Sequence, residues 1–204
     1  MTALRPNNLR QYSDALHLRS GQRLTLRFVE PDDAEALQAY VRGLSQSSRY
    51  RRFLGAASEL PPSLLDGFTH AGEGDRFSVI AIASGDGTER IVAEARYALH
   101  ADPASVEFGL SVDDLWQGHG IGAALMQNLE CRAAALGATR LFGDTLRSNA
   151  VMMSLARKSG FAFQASPGDW KLVRFEKPIA SEAQEIPCTR WRLAAERIDL
   201  QATV

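Results

Sequence analysis

The stretch Asp113-Asp114-Leu115-Trp116-Gln117-Gly118-His119-Gly120-Ile121-Gly122-Ala123 decides the fold. Before it, Ser105 to Val112 reads as a strand. After it, Ile121, Leu125, Leu129, Ala133 and Leu136 recur at helical spacing until Gly137 caps the run. The glycines let the backbone turn tightly and approach a ligand, while the first-turn amides point unsatisfied donors outward and the helix dipole favours an anion. This is the sequence of a phosphate-binding helix N-terminus. A glycine-rich loop also serves as a plain tight connection between strand and helix, so its neighbours must decide.

Two nucleotide motifs compete for the same residues. Gly118, Gly120 and Ala123 satisfy the dinucleotide G-x-G-x-x-G/A spacing, with Asp144 about 20 residues on for a ribose contact. In that fold, however, the glycines follow directly from a buried first strand, whereas here five residues intervene and three other strands precede the one that leads into them. A P-loop is excluded because no Gly-Lys-Ser/Thr follows.

Working outward, Leu24 to Val29 alternates into Glu30-Pro31-Asp32, a strand entering a helix that runs to about Leu44. Pro61-Pro62-Ser63 opens a shorter helix toward His70, ended by the AGEGD segment. Strands follow at Phe77 to Ala83 and Ile91 to Leu99, joined by the Ser84-Gly85-Asp86-Gly87 turn. Past the long helix come a strand from Thr139 to Thr145, a helix from Asn149 to Ser159, and strands at Phe161 to Ala165 and Trp170 to Phe175. Hairpins first and helical crossovers later predict a mixed sheet with helices on its faces, an α/β chain in the order βααβββαβαββ. Residues 1–20 and 179–204 read as extensions around a domain at 21–178, with Cys188 to Leu193 a candidate edge strand.

With 23 basic against 24 acidic residues in 204, the net charge of −1 gives no global pull toward nucleic acid or a membrane surface, and neither is expected as a partner. No apolar run approaches the ~20 residues of a membrane span, and the N-terminus lacks a secretory h-region, so a cytoplasmic protein is expected. Cys131 and Cys188 match no metal spacing and read as two free thiols; no metal site is expected.

Gln117-x-x-Gly120-x-Gly122 resembles the Q/R-x-x-G-x-G/A signature of the GNAT superfamily of N-acyltransferases. Asn149 and the helix ending Gly160-Phe161 resemble the element that follows it there. The resemblance covers about residues 22–177 and matches the order of elements. It implies the GNAT fold, a central mixed, twisted sheet of about seven strands flanked by helices, and acetyl-CoA as co-substrate. It implies further that the loop Gln117, Gly118, His119, Gly120, Ile121, Gly122 and Ala123 holds the CoA pyrophosphate. The strand around Gly109 to Val112, with Leu110, Ser111 and Val112, would pair with the pantetheine arm, and Asn149 would lie beside it. Ser48-Arg49-Tyr50-Arg51-Arg52-Phe53 and Glu94-Ala95-Arg96-Tyr97 are similar to segments of the GNAT domains of bacterial protein-lysine acetyltransferases. That similarity implies acetyl transfer to a primary amine, first a protein lysine and otherwise a small-molecule amine. Such enzymes often carry a regulatory domain; at 204 residues none is expected here.

Attack on a thioester needs a neutral amine, and lysine, with a pKa near ~10.4, is protonated at pH 7, so a base is required. Glu107 is the candidate. It interrupts an apolar strand ahead of the glycine loop, and period two puts it on one face with Gly109 and Ser111. The alternative is a solvated edge glutamate, and Glu94 is the next candidate. Where many relatives carry a tyrosine that protonates the leaving thiolate, this chain has Ala156, which leaves room for a non-catalytic acyl-CoA-binding module. His17, His70 and His100 show no metal spacing, and His119 reads as a solvent-facing or cofactor-neighbouring side chain. Trp116, Trp170 and Trp191 read as packing residues. The Arg49, Arg51, Arg52 cluster reads equally as an anion contact or a solvated turn. Cys131 reads as packed rather than nucleophilic, which favours direct attack in a ternary complex.

Overall fold

A computed structural model describes residues 13–18, 20–70, 76–85, 88–100, 104–135 and 137–179. Eight strands form one mixed sheet in the order β1-β2-β3-β4-β5-β6-β8-β7. They are β1 (Asp14–His17), β2 (Arg23–Phe28), β3 (Arg76–Gly85), β4 (Thr88–His100), β5 (Ser105–Val112), β6 (Arg140–Leu146), β7 (Ala162–Ala165) and β8 (Leu172–Pro178). Every pairing is antiparallel except β5 with β6. The sheet thus has one strand more than expected. The extra strand, β1, comes from within residues 1–20 and is too short to show a period. The candidate strand at Cys188 to Leu193 lies outside the described residues.

Five helices cover the two faces: α1 (Ala34–Gly43), α2 (Gln46–Phe53), α3 (Pro62–Thr69), α4 (Ile121–Ala135) and α5 (Ala150–Lys158). One core packs α4 against β2 through β6, with Leu125, Met126 and Leu129 meeting Phe28, Tyr97, Val106 and Phe108. The second packs α1 and α3 on the opposite face, with Leu37, Val41 and Phe68 against Ile80, Ile82 and Ile91. On the α4 side the fully buried Arg132 is met by Asp14 and Asn128 and lies over the Phe28 ring, tying β1 to α4. Gly137, at φ 75, ends α4 as its spacing predicts, with the Ala138 amide closing back onto Ala133.

Helix α2 was not legible as a helix, because its sequence QSSRYRRF buries no residue and shows no apolar stripe. Its ends hold it instead. Ser45 accepts from the Ser48 amide at 3.1 Å, and Leu54 closes the helix in the left-handed region at φ 55.

Two residue readings are corrected. Trp170 is no core anchor, being 79% exposed at a turn, where Lys171 lies over its ring. Cys131 is buried on α4 as expected, but it is disulfide-bonded rather than a free thiol. A buried position protects sulfur from solvent without deciding its oxidation state. Cys188 and Trp191 lie outside the described residues.

Candidate active site

Strands β5 and β6 pair only from Ser105–Arg140 to Glu107–Phe142. They are still touching one residue later, where a Cβ on Gly143 would stand 2.6 Å from the Phe108 carbonyl oxygen and from the Phe175 ring. Beyond that point they part, and among the described residues β5 from Gly109 to Val112 keeps β4 as its only strand neighbour. A cleft of about 1050 Å³ opens there, floored by β4 and β5 and walled by α2, α3, α5 and the start of α4. Its lining includes Glu107, Leu110, Ser111, Val112, Gln117, Gly118, Gly120, Ile121, Gly122, Ala123 and Asn149. Of the residues singled out from the sequence, His119 does not line it; it is exposed, with Nδ1 3.3 Å from the Trp116 carbonyl.

The glycine loop has the form an anion cradle requires. Gly118 and Gly120 sit at φ 82 and 88, where only glycine is unstrained, and open space surrounds both. Gly122 is needed for a different reason: a Cβ there would meet Leu155 Cδ2 at 3.0 Å, so α4 and α5 approach across a missing side chain. Gln117 donates to the Val112 carbonyl at 3.1 Å and pins the loop to the end of β5. Asn149 lines the cleft while capping α5, accepting from the Met152 amide and donating to Thr145 Oγ1. These residues fit a pyrophosphate at the helix start and an extended arm along the free edge of β5.

On the other side of β5 the ladder makes a lattice of side chains on one face. Arg76, Ala98 and Glu107 form one row, Ser78, Arg96 and Gly109 the next, and Ile80, Glu94 and Ser111 the third. Glu107 is half exposed, and the His100 Nε2 lies 3.4 Å from its carboxylate. His100 went unassigned in the sequence. The hairpin register alone brings it there, since His100 faces Ser105, two residues from Glu107 on the same strand.

Glu94, the other candidate base, is committed elsewhere. It is 1% exposed, takes two bonds from Arg52, at 2.5 Å and 3.1 Å, and accepts from Ser111 Oγ at 2.7 Å. Since Ser111 gives its proton to Glu94, Tyr40 donates to Ser111, 3.0 Å away. Burial, then the nearby Glu94 charge, push the Tyr40 phenol well above its ordinary range, so it stays a donor.

The arginine cluster divides. Arg49 turns back to the carbonyls of Arg42, Leu44 and Ala57, and Arg52 to Glu94, while Arg51 alone stays exposed at the rim. Asp114 fastens α2 to the glycine loop, accepting from the Ser45 amide, Ser45 Oγ and Ser48 Oγ. Desolvation works to raise its pKa, but these hydrogen bonds outweigh it and hold the carboxyl below the usual range.

Ala156, at the tyrosine position, is fully buried in the α4-side core; Ser154 and Lys158 are the polar residues that α5 turns to the cleft. Asp144 is paired with Arg174 at 2.7 Å on β8, which with the mixed sheet removes the dinucleotide reading. Among the described residues no three metal-ligating side chains converge, and no helix is long and apolar enough to cross a membrane.

A family model described as the acetyltransferase (GNAT) family matches residues 43–161, from the end of α1 through the close of α5. The chain belongs to the GNAT acetyltransferase family. An acetyltransferase of Pseudomonas aeruginosa is 29% identical to this GNAT chain over 152 residues, 74% of it and 82% of the relative. The GNAT domain of S. lividans PAT is 26% identical with a TM-score of 0.74, covering 82% of this chain and 97% of that domain. The ribosomal L7/L12 alpha-N-protein acetyltransferase RimL, solved in complex with coenzyme A, shares the fold at 16% identity and a TM-score of 0.64, over 78% and 96% of the two chains. The GNAT fold expected from the glycine loop is therefore the fold observed, and the protein is a GNAT-family acetyltransferase.

Proposed function

We propose that the protein transfers acetyl from acetyl-CoA to a primary amine, a lysine side chain of a protein, by direct attack in a ternary complex. One observation carries this reading: a single cleft runs from the glycine cradle at the start of α4, along the free edge of β5, to the carboxylate of Glu107. Acetyl-CoA supplies the activated carbonyl. The chain's part is to hold the cofactor's phosphates on the amides of residues 118–123, extend its arm beside Leu110 to Val112, and accept a proton at Glu107. The amine lone pair forms the new C–N bond, the C–S bond breaks, and the amine proton passes to the Glu107 carboxylate directly or through water. The thiolate leaves without a dedicated tyrosine, being stable enough near neutral pH to depart unaided.

A protein lysine is favoured as acceptor by the likeness of Ser48–Phe53 and Glu94–Tyr97 to protein-lysine acetyltransferases and by the similarity to the S. lividans PAT domain. The test is acetyl-CoA calorimetry followed by thiol release against cell-extract proteins, lysine peptides and small amines. Intersecting double-reciprocal plots with peptide acceptors are expected. Turnover with small amines alone would replace the acceptor, parallel lines would count against direct attack, and binding with no turnover would overturn the enzymatic reading.

A further inference from the structure

The acceptor end of the cleft is cationic and only partly neutralised. Arg51, Arg76 and Arg96 all line it, and among the described residues none of them has a carboxylate partner. Glu94, the buried carboxylate on the same strand as Arg96, is already spent on Arg52. Arg96 is held by shape rather than by charge: its guanidinium stacks on the Phe68 ring at 4.6 Å and lies 3.2 Å from where a Gly67 Cβ would stand. Burial, then repulsion from Arg76 and Arg52, hold the Arg96 guanidinium below its ordinary range, the condition an added anion relieves.

Position narrows what that anion is. Arg96 is the diagonal neighbour of Glu107 across β4 and β5, roughly 7–8 Å away along the ladder. Arg76 lies in the same row as Glu107, with only the small side chain of Ala98 between them. A molecule resting on Ala98 therefore meets a carboxylate on one side and two guanidinium groups on the other. We propose that the acceptor carries an anionic oxygen group, a carboxylate or phosphate, near its reactive amine, and that Arg96 and Arg76 bind it while the amine faces Glu107. This rests on the reading of Glu107 as the amine's position. An acidic residue flanking the target lysine and the free carboxylate of an amino-acid acceptor offer the same chemistry.

The full chain, saturated with CoA, is titrated with two matched pairs and followed by NMR: acetyl-Glu-Lys-Glu-amide against acetyl-Gln-Lys-Gln-amide, and lysine against lysinamide. We expect the anionic member of one pair to bind roughly tenfold or more tightly, as charge-assisted pairing to arginine allows. Arg96→Gln should erase that ratio, and so should Arg76→Gln, an exposed position that keeps the Phe68 stack intact. A preference in the peptide pair assigns the anion to acidic neighbours of a protein lysine, and in the small pair to the acceptor's own carboxylate; either supports the proposal. A ratio near one in both pairs overturns it, as does a ratio that survives both variants. Loss of CoA affinity in Arg96→Gln would give the arginines to the cofactor's phosphates and overturn it too. Because binding is read without turnover, a preference without acetyl transfer upholds the anion site while failing the proposed reaction.

Discussion

Glu94 grips Arg52 with both carboxylate oxygens, at 2.5 Å and 3.1 Å, beneath a helix that buries none of its own residues. The pair is an anchor for α2 and leaves Glu94 no proton-accepting role. Arg52 keeps 13% of its side chain exposed against 1% for Glu94, so breaking one side of the pair costs about 3 kcal/mol, the low end for a buried pair. Glu94→Gln is therefore expected to lower the melting temperature by roughly 10 °C in thermal denaturation. An unchanged melting temperature would contradict the anchoring role.

Glu107 carries the opposite expectation. It is half exposed and beside His100, so Glu107→Gln should leave stability within about 0.5 kcal/mol. Turnover should fall ~10²–10⁴-fold with acetyl-CoA affinity nearly intact. A variant that keeps most of its activity with the true acceptor would remove Glu107 as the base.

Gly120→Glu and Gly122→Glu should each reduce CoA affinity by roughly 100-fold or more, measured by calorimetry on protein whose circular dichroism is native. Both put a like charge where the proposed function sets the pyrophosphate. Gly122→Glu also drives a side chain into Leu155. Unchanged affinity in either folded variant would sink the cradle.

Asp114 gives a pH-dependent test. Its folded-state carboxyl titrates below the ordinary value, so its stabilisation is full above about pH 4 and is lost as the pH falls through the lower folded value. Asp114→Asn should cost on the order of 1 kcal/mol at pH 6, trimmed by solvent exposure, in urea unfolding. The gap to wild type should shrink toward zero near pH 2. A gap that persists there would mean the serine contacts do not depend on the charge.

What the sequence disclosed follows from how each signal is encoded. The glycine loop and α4 were legible because backbone conformation and helical period are local, and the place of Glu107 on a strand lining the cleft because a carboxylate breaks an apolar run. Helix α2 was not, since its stability comes from Ser45 and from Asp114, a partner 66 to 69 residues away. The neighbourhood of His100 and Glu107 and the isolation of Arg96 depend on strand register, which a turn signal suggests but does not fix. Trp170 shows the limit of composition, since a large aromatic residue can stand at an exposed turn.

Gly143 has no place in the chemistry, yet the mouth of the cleft hinges on what it lacks. Any side chain there would wedge against Phe108 and Phe175 and pry β5 from β6 one residue past Glu107. The aim of the Glu107 carboxylate thus depends on an empty space on the neighbouring strand, and substitutions at Gly143 would behave genetically like lesions of the proposed active site.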